Sequence, residues 1–195
     1  SLDLTRVARY TTTNPKVAAV TPAGLVIPKG EGQAEIRIAH AGLRAVVPVR
    51  ITGLRRPEPV SFRQEIIPIL AKAGCSGGAC HGKAEGKNGF KLSVFGFDPA
   101  ADYQEVARRP AGRRVNPADP SASLLLRKAT LEIPHAGGKR LEVGSPEYRR
   151  VLRWIAEGAR ESAGIEAPVV RIEVSPPRQT LGPNGVQQLR VTAID

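Results

Sequence analysis

The chain has 195 residues, of which 41% are hydrophobic and 24% charged, which is enough for one large domain or two small ones. This composition excludes a disordered tail, and no apolar run approaches the roughly 20 residues that a membrane-spanning helix needs. Lysine and arginine number 29 against 18 acidic residues, and the net charge of +11 implies an anionic partner. Because only 4% of residues are aromatic and the basic residues are spread along the chain, we do not expect nucleic acid to be that partner.

The first part of the chain predicts β-strands. Short β-branched runs, such as residues 17–20, are separated by turns that contain Pro or Gly. Residues 34–39 and 46–51 have the spacing of a hairpin that turns at Ala41 and Gly42. The alternation along both strands predicts four inward side chains, which are Ile36, Ile38, Val47 and Val49.

From Ser61 the pattern changes to that of a helix. Ser61 can cap the first turn with Gln64 as its capping-box partner, and Gly74 ends the helix after a kink at Pro68. Three further helix starts each place a capping residue before proline, and these are Asp98-Pro99, Asp119-Pro120 and Ser145-Pro146. The apolar positions of the last helix recur every three or four residues, and these are Tyr148, Val151, Leu152, Ile155 and Ala159. After residue 168 the strand pattern returns.

Cys75, Cys80 and His81 directly follow the first predicted helix. Two thiols followed at once by histidine are what covalent haem attachment requires, since the thiols add to the vinyl groups and the imidazole reaches the iron. The usual spacing has two residues between the cysteines, whereas this chain has four. Residues 76–79 are all small, so a wider loop can form without a clash with the porphyrin.

Two other interpretations of these residues remain. Cys75 and Cys80 can form a local disulfide, or both thiols can hold zinc together with His81 and His135. A zinc site normally has a second close ligand pair, whereas His135 stands alone. Haem attachment is therefore the interpretation that the sequence favours.

Four short motifs carry a family resemblance: residues 69–75 (Ile-Leu-Ala-Lys-Ala-Gly-Cys), Cys80-His81-Gly82, residues 116–120 with 123–125, and residues 153–155 with 158–159. With these motifs, residues 59–162 resemble the c-type cytochrome domains of a planctomycete family of large multidomain secreted proteins. The resemblance implies an all-α cytochrome c-like domain with one covalent haem c that transfers single electrons.

The resemblance also bears on the second axial ligand of the iron. In that family a Met-Pro-Pro segment before the last helix commonly supplies it, and the corresponding residues here are Ile133, Pro134 and His135. Because isoleucine cannot bind iron, we assign His135 as the sixth ligand, beside His81 as the fifth. The alternative is that His135 is an exposed loop histidine. The iron would then be five-coordinate, as in a peroxidase or gas sensor, or would take water or a lysine as its sixth ligand. A haem-free interaction module with a Cys75–Cys80 disulfide is the third possibility.

The surroundings of the attachment loop lead to further expectations. We expect Trp154 and Leu152 to pack against the first helix and the macrocycle, and we expect His40 to be a solvated turn residue. The expected pocket walls are Phe90, Phe95 and Phe97. A basic neighbourhood that can pair with propionates or steer an acidic redox partner comprises Lys83, Lys87, Lys91, Arg113 and Arg114.

The two ends of the chain resemble parts of a bacterial immunoglobulin-like domain. Residues 14–20 and 24–26 match its later strands, and residues 174–176 and 188–193 match its opening strands. Because an isolated half sandwich exposes its apolar face, we expect the two ends to pair within one chain or to be swapped between two chains as a homodimer.

These patterns predict an α+β multidomain chain. Residues 1–55 are immunoglobulin-like later strands, 56–165 are an all-α cytochrome c-like haem domain, and 166–195 are the opening strands that complete an immunoglobulin-like β-sandwich from the terminal segments. The expected function is electron transfer rather than catalysis, with an acidic redox partner and no membrane span. Haem attachment takes place outside the cytoplasm, so we expect a periplasmic or secreted protein. The start at Ser1, without methionine, leads us to expect a processed piece of a longer chain.

Overall fold

The computed structural model describes residues 3–55, 57–109, 113–161 and 169–194. The chain divides into two compact units, one formed by Ser1–Pro57 with Ala167–Asp195 and the other by Glu58–Glu166. The predicted boundary between residues 165 and 166 lies outside the described residues. In the parts of the chain that are described, no helix has the length and apolarity that crossing a membrane requires.

The first unit begins with five strands, which are β1 (Arg9–Thr12), β2 (Ala18–Val20), β3 (Val26–Pro28), β4 (Gly32–His40) and β5 (Leu43–Ile51). An antiparallel sheet has the order β1-β4-β5, and β2 pairs with β3 in a second sheet. The small core of this unit consists of Val17, Ala18, Ala34 and Ile51, with Val26 and Val49 packed against it.

The predicted hairpin is confirmed as β4 and β5. Its turn residues Ala41 and Gly42 have positive φ angles of 47° and 83°, which suits the two-residue turns that join antiparallel strands. Ile36 pairs with Val47 across the hairpin. Ile36 is only 3% exposed, but Val47 is 47% exposed, so the prediction of an inward Val47 is wrong. The core of this unit includes Ile51 and contacts Val49 of the same strand, but it does not extend along the strand to Val47.

The last two strands, β6 (Arg171–Ser175) and β7 (Arg190–Ile194), pair antiparallel with each other in a separate two-stranded sheet. Every residue of β6 is exposed. Gln187 donates a hydrogen bond to the Asp3 carboxylate at 3.2 Å, but among the described strands neither β6 nor β7 shares a ladder with β1 to β5. The predicted immunoglobulin-like sandwich is therefore wrong, because small separate sheets form instead of two packed layers. Exchange of terminal strands between two chains stays a prediction.

The second unit contains four α-helices in its described residues, which are α1 (Ile67–Lys72), α2 (Pro99–Tyr103), α3 (Leu124–Ala129) and α4 (Pro146–Ala156). Wider π-helical turns precede α1 at Phe62–Ile66 and follow α2 at Gln104–Arg108. Tighter 3₁₀ turns occupy Val94–Gly96 and Pro120–Ala122.

The predicted fold class, an all-α cytochrome c-like domain with a sandwich, is wrong. The described chain is mixed α and β, with α-helices of five to eleven residues beside small antiparallel sheets. Prolines and extended residues shorten the helices. The helix expected from Asp119 is only a 3₁₀ turn, because Ser123 has an extended ψ of 129° before α3 begins. Pro68 lacks an N–H, and the chain changes from π to α geometry beside it.

Several predicted helix caps are confirmed. The Ser61 side chain accepts a hydrogen bond from the Gln64 backbone N–H, and Ser145 does the same for Tyr148. The capping-box partner of Ser61 is Glu65 rather than Gln64, since the Glu65 carboxylate accepts from the Ser61 backbone N–H at 2.9 Å. The wider π turn displaces the reciprocal contact by one residue.

Aromatic packing holds the second unit together. The ring of Phe62 lies 5.3 Å from the ring of Trp154 and 5.3 Å from the ring of Tyr103, measured between centroids. The Trp154 indole donates to the Arg160 carbonyl at 2.8 Å, and the Tyr103 hydroxyl donates to the Ala159 carbonyl at 3.0 Å. The segment before α1 thus packs against α4 through Trp154, as expected. This packing fixes the position of the loop that follows α1.

A buried carboxylate anchors the loop before α2. Asp102 is 1% exposed and accepts hydrogen bonds from the Ser93 backbone N–H at 2.5 Å and the Ser93 hydroxyl at 2.7 Å. Burial raises the pKa of Asp102. The pair joins α2 to the strand-like segment that leads away from the attachment loop.

Replacing Asp102 by alanine leaves the Ser93 N–H without its acceptor, so we expect Asp102→Ala to lower the free energy of unfolding by about 2 kcal/mol. Urea denaturation measures this loss. The control is Glu85→Ala, because the exposed Glu85 makes only a surface ion pair with Lys83 at 3.5 Å, and its loss should be below about 0.5 kcal/mol. Equal effects of the two substitutions would contradict a structural role for Asp102.

Candidate functional site

The loop from Cys75 to His81 leaves α1 through Gly74, whose φ is +77°. It curls back on itself, since the His81 backbone N–H donates to the Cys75 carbonyl at 3.0 Å and the Cys80 N–H donates to the Gly77 carbonyl at 2.9 Å. Cys75 and Cys80 are both half-buried free thiols. The loop therefore returns the backbone of His81 to that of Cys75.

Gly82 closes this loop by close contact between backbone segments. A Cβ atom at Gly82 would lie 2.2 Å from the Ser76 carbonyl oxygen, so no larger residue fits without a shift of the backbone. Ser76 itself is 1% exposed, and its hydroxyl is buried without a hydrogen-bond partner in the described structure. Of the small residues between the cysteines, Ser76 is thus packed inside the loop, whereas Gly78 and Ala79 are exposed.

His81 is held by the turn that follows it. Its Nδ1 lies 3.0 Å from the Phe90 carbonyl oxygen, and its ring centroid lies 4.4 Å from that of Phe90. A carbonyl oxygen only accepts, so Nδ1 carries the proton and Nε2 keeps its lone pair. Burial lowers the pKa of His81, which favours the neutral imidazole that a metal binds.

His135 is held in the same manner by a different loop. Its Nδ1 donates to the Gly138 carbonyl at 2.9 Å, which again leaves the lone pair on Nε2. The ring needs space beside Gly137, where a Cβ would lie 2.8 Å from the His135 Cε1 atom. The Gly-rich segment thus serves to place this imidazole.

The structure brings the two predicted axial histidines together. The ring centroids of His81 and His135 are 6.3 Å apart, and the ring planes are within 7° of parallel. A metal–imidazole bond is about 2.0 Å long and the nitrogen lies about 1.1 Å from its ring centroid, so two imidazoles on opposite sides of one iron have centroids about 6.2 Å apart. The observed centroid separation therefore equals that of two imidazoles bound to one iron, while the parallel planes describe a stacked pair of rings.

Two features of the structure bear on the other interpretations of the cysteines. Cys75 and Cys80 are not bonded to each other. In the described part of the chain, no three side chains among His, Cys, Asp and Glu are grouped so as to hold a metal ion.

Arg140 is a contact of the thiols that the sequence did not reveal. One guanidinium nitrogen lies 3.9 Å from the Cys80 sulfur and another lies 3.5 Å from the Ala73 carbonyl oxygen. Burial raises the pKa of Cys75, while the positive charge of Arg140 acts in the opposite direction. No motif pointed to Arg140, because its 60-residue separation from Cys80 is closed only by tertiary packing.

Three expectations about the surroundings need correction. Phe90 packs on His81 as a wall, but Phe95 and Phe97 are 71% and 89% exposed and do not line a pocket. Arg114 was grouped with surface charges, yet it is buried at 8% exposure. His40 is the last residue of β4 and is partly buried, so it is not the solvated turn residue that was expected.

Comparison of the chain with protein-family models, curated proteins and solved structures finds no match. The case for a function therefore depends on the site residues themselves.

We expect Gly82→Ala to destabilise the second unit by about 1–3 kcal/mol, because the added methyl group collides with backbone that cannot rotate away. Gly78→Ala is a matched control in the same loop, since a Cβ at Gly78 meets nothing within 4 Å. Thermal unfolding of both variants measures the difference. A Gly82→Ala protein as stable as Gly78→Ala would show that the loop is not packed as described.

Proposed function

We propose that the chain binds one haem c covalently through Cys75 and Cys80, with His81 and His135 as axial ligands, and transfers single electrons. The observation that carries the proposal is the parallel pair of imidazoles at 6.3 Å, beside two free thiols in the same segment as His81. Haem, when bound, supplies reversible one-electron exchange between ferric and ferrous iron.

The residues of the site suit this group in three respects. Both thiols are free to form thioethers, and the loop between them consists of small side chains. Both imidazoles carry their proton on Nδ1, so each Nε2 is available. Backbone carbonyls hold both rings, and such outer contacts orient ligands and raise their basicity.

Two axial histidines favour electron transfer over catalysis. When His81 and His135 occupy both axial positions, none remains for a substrate or a gas. The geometry therefore supports a six-coordinate electron carrier more than a five-coordinate peroxidase or sensor, both of which need His135 to stay away from the iron.

The proposal extends to location and partner. Covalent haem attachment places the protein in the periplasm or outside the cell. The net charge of +11 favours an acidic redox partner. Exposed basic side chains on the two site loops include Lys83 and Lys139, which make only surface ion pairs at 3.5 and 2.6 Å with Glu85 and Glu142. These cations are available to steer such a partner.

Expression in a host with the haem-attachment machinery should give a red protein whose intact mass exceeds that of the polypeptide by one haem. Replacing both Cys75 and Cys80 by serine should abolish the covalent pyridine haemochrome absorbance, because no thioether can form. Colourless wild-type protein with the bare polypeptide mass would overturn the proposal.

His135→Ala should convert the ferric spectrum of the haem-loaded protein from low-spin to high-spin, since one strong-field imidazole is lost. The control is His40→Ala, which removes a histidine at the β4–β5 turn and should leave the spectrum unchanged. A low-spin spectrum that persists unchanged in His135→Ala would remove His135 from the ligand set while leaving the haem in place.

A further inference from the structure

Arg114 is a buried cation whose hydrogen bonds surround the turn that holds His81. It is 8% exposed, and its Nη2 donates to the Gly89 carbonyl at 2.5 Å. Its Nη1 donates to the Glu105 carbonyl at 2.6 Å and also to the Arg109 carbonyl. One guanidinium thereby joins the turn from Lys87 to Phe90 to the chain that follows α2.

Phe90 connects this guanidinium to the imidazole in two ways. The Arg114 guanidinium carbon lies 4.5 Å from the Phe90 ring centroid, within cation–π range, and the His81 ring centroid lies 4.4 Å from that of Phe90. The Phe90 carbonyl accepts both from His81 Nδ1 at 3.0 Å and from the Lys87 backbone N–H at 2.9 Å. The carbonyl that fixes the His81 tautomer therefore belongs to the turn that Arg114 fastens.

The turn itself is narrow and needs such support. Asn88 and Gly89 both have positive φ, 50° and 69°, so the turn is a two-residue reversal closed by paired hydrogen bonds between Lys87 and Phe90. A ladder of one residue pair is weak alone. Burying a guanidinium is unfavourable unless its donors are satisfied, and an apolar side chain would fill the same space at lower cost.

We propose that Arg114 is a positioning residue for His81: its guanidinium clamps the Lys87–Phe90 turn and so holds the Phe90 carbonyl where it orients the imidazole. The consequence for the iron rests on the proposed function, but the contact with His81 is a property of the polypeptide itself. The positive charge of Arg114 also reaches the His81 ring, where it adds to burial in lowering the His81 pKa.

The test compares two substitutions of Arg114. Arg114→Met keeps an unbranched aliphatic side chain but loses the guanidinium, whereas Arg114→Lys keeps the charge but loses the planar arrangement of N–H donors. Arg113→Met is the control, because it removes the same charge from the exposed neighbour. Long-range ¹H–¹⁵N spectra of the histidine rings in the full chain without haem report which nitrogen of His81 carries the proton.

Wild type and Arg113→Met should show the Nδ1–H tautomer of His81, whereas both Arg114 variants should show a mixture of tautomers. If Arg114→Met fails to fold, Arg114→Lys decides, because it retains the stem and charge. A His81 that keeps its Nδ1–H tautomer in Arg114→Lys would overturn the proposed clamp.

The haem-loaded protein gives a second readout, since the ferric EPR spectrum of a bis-imidazole haem depends on the angle between the ring planes. We expect the g anisotropy of Arg114→Lys to differ from that of wild type and the g anisotropy of Arg113→Met to equal it. Identical spectra for wild type, Arg114→Lys and Arg113→Met would contradict the clamp. If haem does not attach to wild type, the proposed function fails, and the tautomer measurement still decides the role of Arg114.

Discussion

Two hydrogen bonds from imidazole N–H groups to backbone carbonyls determine what this site can do. His81 donates to Phe90, and His135 donates to Gly138. Each bond fixes the tautomer and the ring orientation, so that each Nε2 keeps its lone pair. Without these bonds, a parallel pair of rings at 6.3 Å would have no reason to persist in two separate loops.

The Phe90 carbonyl belongs to a turn that another part of the second unit holds. The Phe90 turn is fastened by Arg114, and the attachment loop leaves a helix whose preceding turn packs on Trp154 through Phe62. Site geometry thus depends on the aromatic core between α1 and α4. The site residues named above, from Cys75 to Arg140, all belong to the second unit.

Most local features of this structure were predictable, and most long-range ones were not. The caps at Ser61 and Ser145 follow from contacts three residues apart, and the hairpin follows from turn chemistry at Ala41 and Gly42. The sequence also named His81 and His135 as a pair, and the structure places their rings together. The fold class was wrong, because a family resemblance in short motifs does not determine helix length when prolines and extended residues interrupt the helices.

The buried arginine shows why the remaining contacts were missed. A basic residue in a basic stretch normally lies in solvent, and only tertiary structure reveals that Arg114 meets the carbonyls of Gly89 and Glu105. The acceptors are main-chain carbonyl oxygens. Every residue has one, so the residue types in the sequence do not indicate which of them accept. The same holds for the carbonyls that orient both histidines. Side-chain chemistry suggested the ligands, whereas main-chain geometry gives them their orientation.

Electron–nuclear double resonance on ferric protein with ¹⁵N-labelled histidine tests the central claim most directly, because it counts the histidine nitrogens bound to the iron. The account predicts two strongly coupled histidine nitrogens on a low-spin iron. A single coupled nitrogen, or none, would contradict the assignment of both imidazoles to one metal.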